Sequence, residues 1–155
     1  KKAMIDKRLK DSPRSTVLVA EDDPADRELI RRALRDRDHP VKIVHDGAAV
    51  VEYIAACFRP DAGRPVPGLI ILDLNMPRLS GREVMMELGR SPITDSVPVV
   101  VFSSSDSDSD VRACYELGCR SYVVKPTDLQ PFLTALNGIV SYWLDLVEAP
   151  PLRSH

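Results

Sequence analysis

Leu69-Ile70-Ile71-Leu72-Asp73 is the stretch of sequence that decides the fold. Its first four residues are apolar without polar alternation, which predicts a β-strand that is buried on both faces. An aspartate follows at once, so this strand places a carboxylate at its own carboxyl end. Similar apolar runs recur along the chain, and each is followed by polar residues and then by a stretch with helical periodicity.

Five repeats of strand then helix follow from this pattern. Strands that are apolar throughout need helices on both faces, and right-handed crossovers between them give a parallel sheet. The predicted fold class is therefore α/β, a doubly wound parallel sheet of five strands with an extended C-terminal helix. The predicted strands are Val17–Ala20, Val41–Val44, Leu69–Leu72, Val99–Phe102 and Tyr122–Val124.

Composition excludes several classes of protein. The 155 residues suit one compact domain, and 44% hydrophobic with 28% charged residues can build a core. Lys and Arg number 21 against 23 Asp and Glu, a net charge of -2, so the basic excess of a nucleic-acid binder is missing. No apolar run approaches the roughly 18–20 residues that span a bilayer, and no secretory leader is evident.

The cysteines point to the redox compartment. Cys57, Cys114 and Cys119 are an odd number and form no CxxC pair, which excludes a disulfide framework and a zinc site. This usage is typical of a reducing cytosol, so we expect a cytoplasmic protein with no membrane and no nucleic-acid partner.

Charged and hydroxyl side chains follow the strands at the edge where a parallel sheet brings its carboxyl ends together. They are Glu21, Asp22, Asp73, Ser103 and Lys125. Two carboxylates about 4 Å apart repel by roughly 4 kcal/mol at an effective dielectric near 20, so a cation is needed to offset them. Hard oxygen ligands without His or Cys favour Mg²⁺. The sequence therefore predicts a site for magnesium and a phosphoryl group.

Two other kinds of ligand site are excluded. The turn after the first strand reads Glu-Asp-Asp-Pro, so it is neither a dinucleotide fingerprint nor a P-loop. Asp106, Asp108 and Asp110 have the spacing of a calcium loop, but Val111 stands where that loop needs Gly, and Leu117 where it needs Glu. We expect these acids to cap and charge the fourth helix instead.

Four separated motifs resemble the receiver domain of bacterial response regulators, the CheY-like family. They are Leu18–Pro24, Ile71–Pro77, Pro98–Ser105 and Tyr122–Pro126. The resemblance implies a flavodoxin-like (βα)5 fold. We assign residues 16–137 to the receiver domain, 1–15 to a flexible N-terminal lead-in, and 138–155 to the extension of the last helix and the C-terminal tail.

By this resemblance, Asp73 is the phosphoacceptor, which takes a phosphoryl group from a phosphohistidine on a sensor histidine kinase. Mg²⁺ is the implied cofactor. Asp22 would bind it directly and Glu21 mainly through water, while Asp73 and the backbone carbonyl of Asn75 would complete the protein ligands. The family therefore supplies a role for each acid at the sheet edge.

The same resemblance implies a conformational switch. Ser103 stands where the family has its switch hydroxyl, and Tyr122 stands where it has the aromatic side chain that moves with that hydroxyl. Lys125 would contact the phosphoryl oxygens. The bond between Lys125 and Pro126 is expected to be cis, as in relatives.

The last helix is predicted from about Asp128 to Glu148. At 1.5 Å per residue it would be ~30 Å long, longer than the ~20 Å of a strand. Its end should overhang and leave Trp143, Leu144 and Val147 without core neighbours, as a dimer or partner surface. The alternative is a helix that bends back onto its own domain or frays at the prolines.

This long last helix and the Pro- and Gly-rich connection Arg59–Gly68 resemble the stand-alone regulators that pair with bacterial and cyanobacterial phytochrome histidine kinases. The resemblance implies a phytochrome-type kinase as partner. It also implies a homodimer through the region of the fourth and fifth helices.

The predicted function is a phosphorylation-controlled signalling module without a DNA-binding output domain, which is not an enzyme beyond its own phosphotransfer and dephosphorylation. An aspartyl-phosphate phosphatase of haloacid-dehalogenase type is one alternative. It needs a second acid two residues after the nucleophile, where this chain has Asn75. A degenerate receiver that serves as a constitutive dimerisation or scaffold module is the other alternative, and nothing in the sequence favours it.

Overall fold

The computed structural model describes residues 15–59, 65–91 and 95–150. Over these residues, strands and helices alternate as predicted. They are β1 (Val17–Ala20), α1 (Pro24–Leu34), β2 (Val41–Val44), α2 (Gly47–Cys57), β3 (Leu69–Leu72), α3 (Gly81–Gly89), β4 (Val99–Ser103), α4 (Asp108–Glu116), β5 (Ser121–Val124) and α5 (Leu129–Val140), followed by a π-helical segment, Ser141–Leu146. Apart from residue 15, the predicted lead-in lies outside the described residues, as do the last five residues of the tail.

The strands form one parallel sheet in the order β2-β1-β3-β4-β5. The three central strands are buried along their whole length, whereas the edge strands β2 and β5 are only partly covered. This difference explains why the central strands are apolar throughout while β2 tolerates an exposed Lys42. The order reverses between β1 and β3, which creates a crevice at the carboxyl ends of these two strands.

Alternate residues of the central strands point into two separate cores. On one face, Leu18 and Ile70 pack in a cluster with residues of α2, α3 and α4. On the other face, Val19 and Ile71 pack with residues of α1 and α5. Each fully buried aliphatic side chain stabilises the fold by about 1.5–3 kcal/mol. The two cores therefore hold the five strand ends rigidly at one edge of the molecule.

Local sequence sets the start of the helices that border this edge. Asp23 caps α1 by accepting a hydrogen bond from the backbone N–H of Ala25 at 2.8 Å. Ser107 caps α4 and accepts from the N–H of Asp110, which lies with Asp108 in the first turn. The predicted acids therefore do charge the start of α4. The capping residue is a serine and not one of the acids.

The C-terminal segment differs from its prediction. The α-helix ends at Val140, and the chain continues as a π-helical segment through Leu146 before it becomes extended at Val147. Trp143 and Leu144 pack against the core on the α1 and α5 face. The expectation that they lack core neighbours is therefore wrong.

Polar contacts to the loop between α1 and β2 hold this segment in place. Arg37 donates hydrogen bonds to Asn137 Oδ1 at 3.2 Å, to Ser141 Oγ at 3.0 Å and to the Asp145 carboxylate. His39 Nε2 lies 2.7 Å from the other oxygen of Asp145. These contacts join α5 and the π-helical segment to the loop that precedes β2.

Two large apolar side chains of the same segment face solvent, Tyr142 at 48% and Leu146 at 74% exposure. Among the helices in the described residues, none has both the length and the apolar composition needed to cross a bilayer.

Candidate functional site

Three carboxylates meet at the carboxyl ends of β1 and β3. The register of these neighbouring strands pairs Ala20 with Leu72, so the residues that follow, Glu21 and Asp73, reach the sheet edge at the same level. Oxygens of Glu21, Asp22 and Asp73 lie within 4.8 Å of one another. The parallel register thus brings together the acids that the sequence analysis selected.

Lys125 completes this cluster from the end of β5. Its Nζ donates to Glu21 Oε2 at 2.8 Å, to Asp73 Oδ2 at 3.0 Å and to Asp26 Oδ2 at 2.9 Å. The Lys125 side chain is only 9% exposed, and those of Glu21 and Asp73 are 2% and 8% exposed. One ammonium group is therefore buried against three carboxylates.

Asp26 was missed by the sequence analysis. It lies in the first turn of α1 and its carboxylate reaches a lysine that is 99 residues away in the chain. The available signal was its place in the helical turn directly after Glu21 and Asp22. That position is also typical of an acid that favours a helix N-terminus, so the sequence alone did not separate the two roles.

Backbone geometry in the loop after β3 fixes the orientation of Asp73. Its Oδ1 accepts a hydrogen bond from the N–H of Leu74 at 2.7 Å, while Oδ2 faces Lys125. The start of α3 packs directly on this loop, because a Cβ on Gly81 would lie 2.3 Å from the carbonyl oxygen of Asp73. Only glycine permits such a close approach. We therefore infer that Gly81 is required for the position of Asp73.

Burial and charge shift the titration of the cluster. Desolvation raises the pKa of Glu21 to about 7; the charge of Asp73 adds to this rise and Lys125 opposes it. Burial by itself would lower the pKa of Lys125, but its hydrogen bonds to Asp26 and Glu21 and the charge of Asp73 raise it overall. Lys125 is therefore a permanent cation, while the surrounding carboxylates carry more negative charge than it neutralises.

The donor set fits a divalent metal ion. Glu21, Asp22 and Asp73 each offer a hard carboxylate oxygen, and these oxygens are close enough to share one ion. A bound cation would also offset the excess negative charge beside Lys125. Asn75 is exposed, and its backbone nitrogen lies 3.5 Å from Asp73 Oδ1, so this residue borders the cluster. That its carbonyl binds the ion stays a prediction.

Ser103 and Tyr122 share one neighbour, Ser105, and the backbone carbonyl of Ser103 accepts from the N–H of Lys125. Ser103 ends β4 with no exposed surface, and its Oγ accepts from the N–H of Ser105 at 3.2 Å. The Tyr122 hydroxyl donates to the carbonyl oxygen of Ser105 at 2.7 Å. The two predicted switch residues are thus joined through the loop between β4 and α4.

The peptide bond between Lys125 and Pro126 corrects an expectation. No peptide bond in the described part of the chain is cis, so the predicted cis bond is wrong. A proline bond favours the trans isomer by about 0.5–1 kcal/mol unless the surroundings select cis. Here the N–H of Lys125 donates to the carbonyl oxygen of Ser103 at 2.7 Å in the trans arrangement.

The predicted partner residues Trp143, Leu144 and Val147 are not at this site and lie on or just after the π-helical segment.

Comparison with known proteins decides the family. Residues 17–137 match the response regulator receiver domain. This chain belongs to the receiver domain family. Phosphoryl acceptance is the function of receiver domains, and it agrees with a buried aspartate beside a lysine and a carboxylate cluster.

Three similarities narrow the relationship within the receiver family. Response regulator Rcp1 of Synechocystis sp. is 36% identical over 141 residues, which cover 90% of this chain and 95% of Rcp1. The crystal structure of the phosphorylated cyanobacterial phytochrome response regulator RcpA superposes with a TM-score of 0.80 at 33% identity, covering 89% of this chain and 99% of RcpA. The Mn²⁺-bound form of Rcp1 superposes with a TM-score of 0.79 at 36% identity, covering 88% of this chain and 99% of that structure.

These findings confirm the predicted CheY-like receiver fold and the predicted likeness to phytochrome response regulators. They also show that a receiver domain closely similar to this one binds a divalent metal ion, since one of the structures contains Mn²⁺.

Proposed function

We propose that this chain accepts a phosphoryl group on Asp73 from a sensor histidine kinase, in a Mg²⁺-dependent reaction, and changes conformation to pass the signal on. The observation that carries the proposal is the meeting of Asp73 with Lys125 at 3.0 Å inside the Glu21 and Asp22 carboxylate cluster. The proposed acceptor, its counter-cation and the proposed metal ligands Glu21 and Asp22 thus lie together at one edge of the sheet.

The chemistry of phosphoryl transfer agrees with this geometry. The reaction needs little covalent help and depends on positioning and on the neutralisation of charge on the transferred group. Asp73 is held at both oxygens, by the Leu74 N–H and by Lys125, and burial removes the water that would compete for them. Glu21, Asp22, Asp73 and the Asn75 carbonyl would hold Mg²⁺, which when bound supplies positive charge beside the phosphoryl oxygens.

The signal would leave the site through Ser103 and Tyr122. A phosphoryl group on Asp73 offers new acceptor oxygens, and the Ser103 hydroxyl can donate to one of them. Because Ser105 bonds to both Ser103 and Tyr122, a shift of the hydroxyl disturbs the contact that holds the tyrosine. Such a pair of alternative contacts is the kind of two-state element that a phosphorylation switch needs.

The likeness to Rcp1 and RcpA supports finer proposals about partners. We propose a phytochrome-type histidine kinase as the partner, in the cytoplasm, and catalysis limited to the chain's own phosphotransfer and dephosphorylation. A homodimer through α4, α5 and the segment with Trp143, Leu144 and Val147 is supported by exposed apolar side chains on and beside these elements. They are Tyr115, Val124, Leu129, Tyr142 and Leu146.

Labelling by a small phosphodonor tests the central proposal. The chain is incubated with acetyl phosphate, with and without Mg²⁺, and its intact mass is measured. We expect a mass increase of one phosphoryl group that needs Mg²⁺ and disappears in Asp73→Asn. Asp106→Asn, which removes an exposed aspartate from the loop after β4, is the matched control and should label like the unmodified chain. Persistent Mg²⁺-dependent labelling of Asp73→Asn would refute Asp73 as the acceptor.

A further inference from the structure

Asp26 reaches Lys125 from a different element than the other two carboxylates. Glu21 and Asp73 follow strands of the sheet, whereas Asp26 belongs to the first turn of α1. Its Oδ2 lies 2.9 Å from Nζ, and its side chain is 23% exposed. The contact ties helix α1 to the end of β5 at the centre of the site.

Lys125 uses all of its hydrogen-bonding capacity in this arrangement. An ammonium group has three N–H donors, and the three carboxylates of Glu21, Asp26 and Asp73 take one each. To contact a phosphoryl oxygen, Nζ must therefore release one acceptor. Which carboxylate it keeps decides where the ammonium group points during the reaction.

The three carboxylates that contact Lys125 differ in the other roles proposed for them. Within the described residues, the carboxylates placed to share a metal ion are Glu21, Asp22 and Asp73, and Asp26 is not among them. Asp73 must also form the new bond to phosphorus. Asp26 has neither task, so its contact with Nζ can persist while the other acids change partners.

We infer that Asp26 is a positioning residue. Its carboxylate anchors the Lys125 ammonium group while one N–H of that group moves its hydrogen bond from the Asp73 carboxylate to the phosphoryl group. This inference rests on the proposed phosphorylation of Asp73. A lysine has a long flexible stem with three rotatable donors, so without an anchor its Nζ samples other directions. The anchor also adds a negative charge near an anionic phosphodonor.

These two effects of Asp26 act on different kinetic constants. Loss of the anchor lowers the maximal rate of phosphorylation, whereas loss of the negative charge favours donor binding. Asp26→Asn keeps the size of the side chain and removes its charge. Replacing a residue that only stabilised the fold would not lower the maximal rate while leaving donor binding unchanged or stronger.

The experiment measures the rate of labelling of the full chain against acetyl phosphate concentration in saturating Mg²⁺. For Asp26→Asn we expect the maximal rate to fall by about tenfold, the size expected for one charge-assisted hydrogen bond. The half-saturating donor concentration should stay unchanged or decrease. Asp26→Glu should recover part of the rate, since it restores a carboxylate. Glu28→Gln is the matched control, because Glu28 lies on the same helix and pairs with Arg31, and both constants should stay within about twofold.

A double-mutant cycle tests whether Asp26 acts through the lysine. In a Lys125→Ala background, Asp26→Asn should cause no further loss of rate, because the group it positions is missing. The same fold loss in both backgrounds would overturn the inference. So would an Asp26→Asn variant whose maximal rate equals that of the unmodified chain.

A second measurement does not depend on labelling. Exchange of the Lys125 ammonium protons with water, followed by nuclear magnetic resonance, should be faster by about tenfold in Asp26→Asn and unchanged in Glu28→Gln. Unchanged exchange in Asp26→Asn would show that Asp26 does not hold Nζ. If the unmodified chain itself is not labelled at Asp73, the proposed function fails, while the exchange rates still decide whether the anchor exists.

Discussion

Two cations of this receiver domain, Lys125 and Arg37, each contact three side-chain acceptors, and the comparison separates the proposed phosphoryl-accepting site from a structural cluster. Lys125 is 9% exposed and contacts three carboxylates. Arg37 is 19% exposed and contacts one carboxylate, that of Asp145, and two neutral oxygens. The first cluster is left with excess negative charge, whereas the second is balanced.

The difference follows from what each cluster must do. The Arg37 cluster joins the loop before β2 to the π-helical segment and needs no further ion. The Lys125 cluster brings acids together at a cost in repulsion that its one ammonium group does not remove. Such an imbalance is useful only where a cation and an anionic group bind, which agrees with a phosphoryl-accepting site. Charge balance therefore distinguishes the two regions better than the number of ion pairs.

The largest effect is expected when the Lys125 cluster loses its cation. Lys125→Met should lower the free energy of unfolding by about 3 kcal/mol without metal, because it leaves buried carboxylates unpaired. Mg²⁺ should stabilise this variant more than it stabilises the unmodified chain, since the ion replaces the lost charge. Urea unfolding with and without Mg²⁺ measures both. Lys42→Met on the exposed side of β2 is the control, and an equal loss in both variants would contradict the comparison.

A smaller effect is expected from pH at the Lys125 cluster. Because the folded-state pKa of Glu21 is raised to about 7, above its ordinary value, the folded metal-free chain binds a proton more readily than the unfolded chain does. This contribution to stability is fully present below about pH 4.5 and is lost as pH rises through 7.

Urea unfolding in a metal chelator checks this dependence. Between pH 8 and pH 5, the unmodified chain should gain about 2 kcal/mol relative to Glu21→Gln, which cannot titrate. Glu28→Gln, an exposed control on α1, should follow the unmodified chain. A constant difference between the chain and Glu21→Gln across this range would show that Glu21 titrates normally.

The smallest effect is expected at the Arg37 cluster. Asp145→Asn should lower the free energy of unfolding by about 1 kcal/mol or less, since the Asp145 side chain is 50% exposed and water screens its pairs. Mg²⁺ should not change this loss, because the cluster lacks excess negative charge. Urea unfolding against Asp128→Asn, an exposed aspartate whose side chain does not cap α5, gives the reference. A loss that Mg²⁺ reverses would erase the contrast between the two regions.

The sequence predicted the residues of the Lys125 cluster more completely than those of the Arg37 cluster. Glu21, Asp22, Asp73 and Lys125 were found because each lies within two residues of the end of an apolar strand, and parallel strands end at one edge. Asp26 was not found, since its partner lies 99 residues away and its position in a first helical turn already has an ordinary explanation.

The C-terminal segment was predicted as an overhanging helix for a related reason. Its apolar residues have helical spacing through Val147, and that spacing does not say which part of the domain they pack against. The packing of Trp143 and Leu144 on the domain is accompanied by the contact of Arg37 with Asp145, which are 108 residues apart and meet only after α1 and α5 have packed on the same face of the sheet.

By itself, the amino-acid sequence determined the alternation of strands and helices, the parallel sheet and the acidic edge, because apolar runs, helical periodicity and the residues that end a strand are local properties of the chain. Only the tertiary structure decided the third carboxylate on Lys125 and the packing of Trp143 and Leu144 against the core on the α1 and α5 face. Each of these depends on contacts or surroundings that exist once the elements have packed.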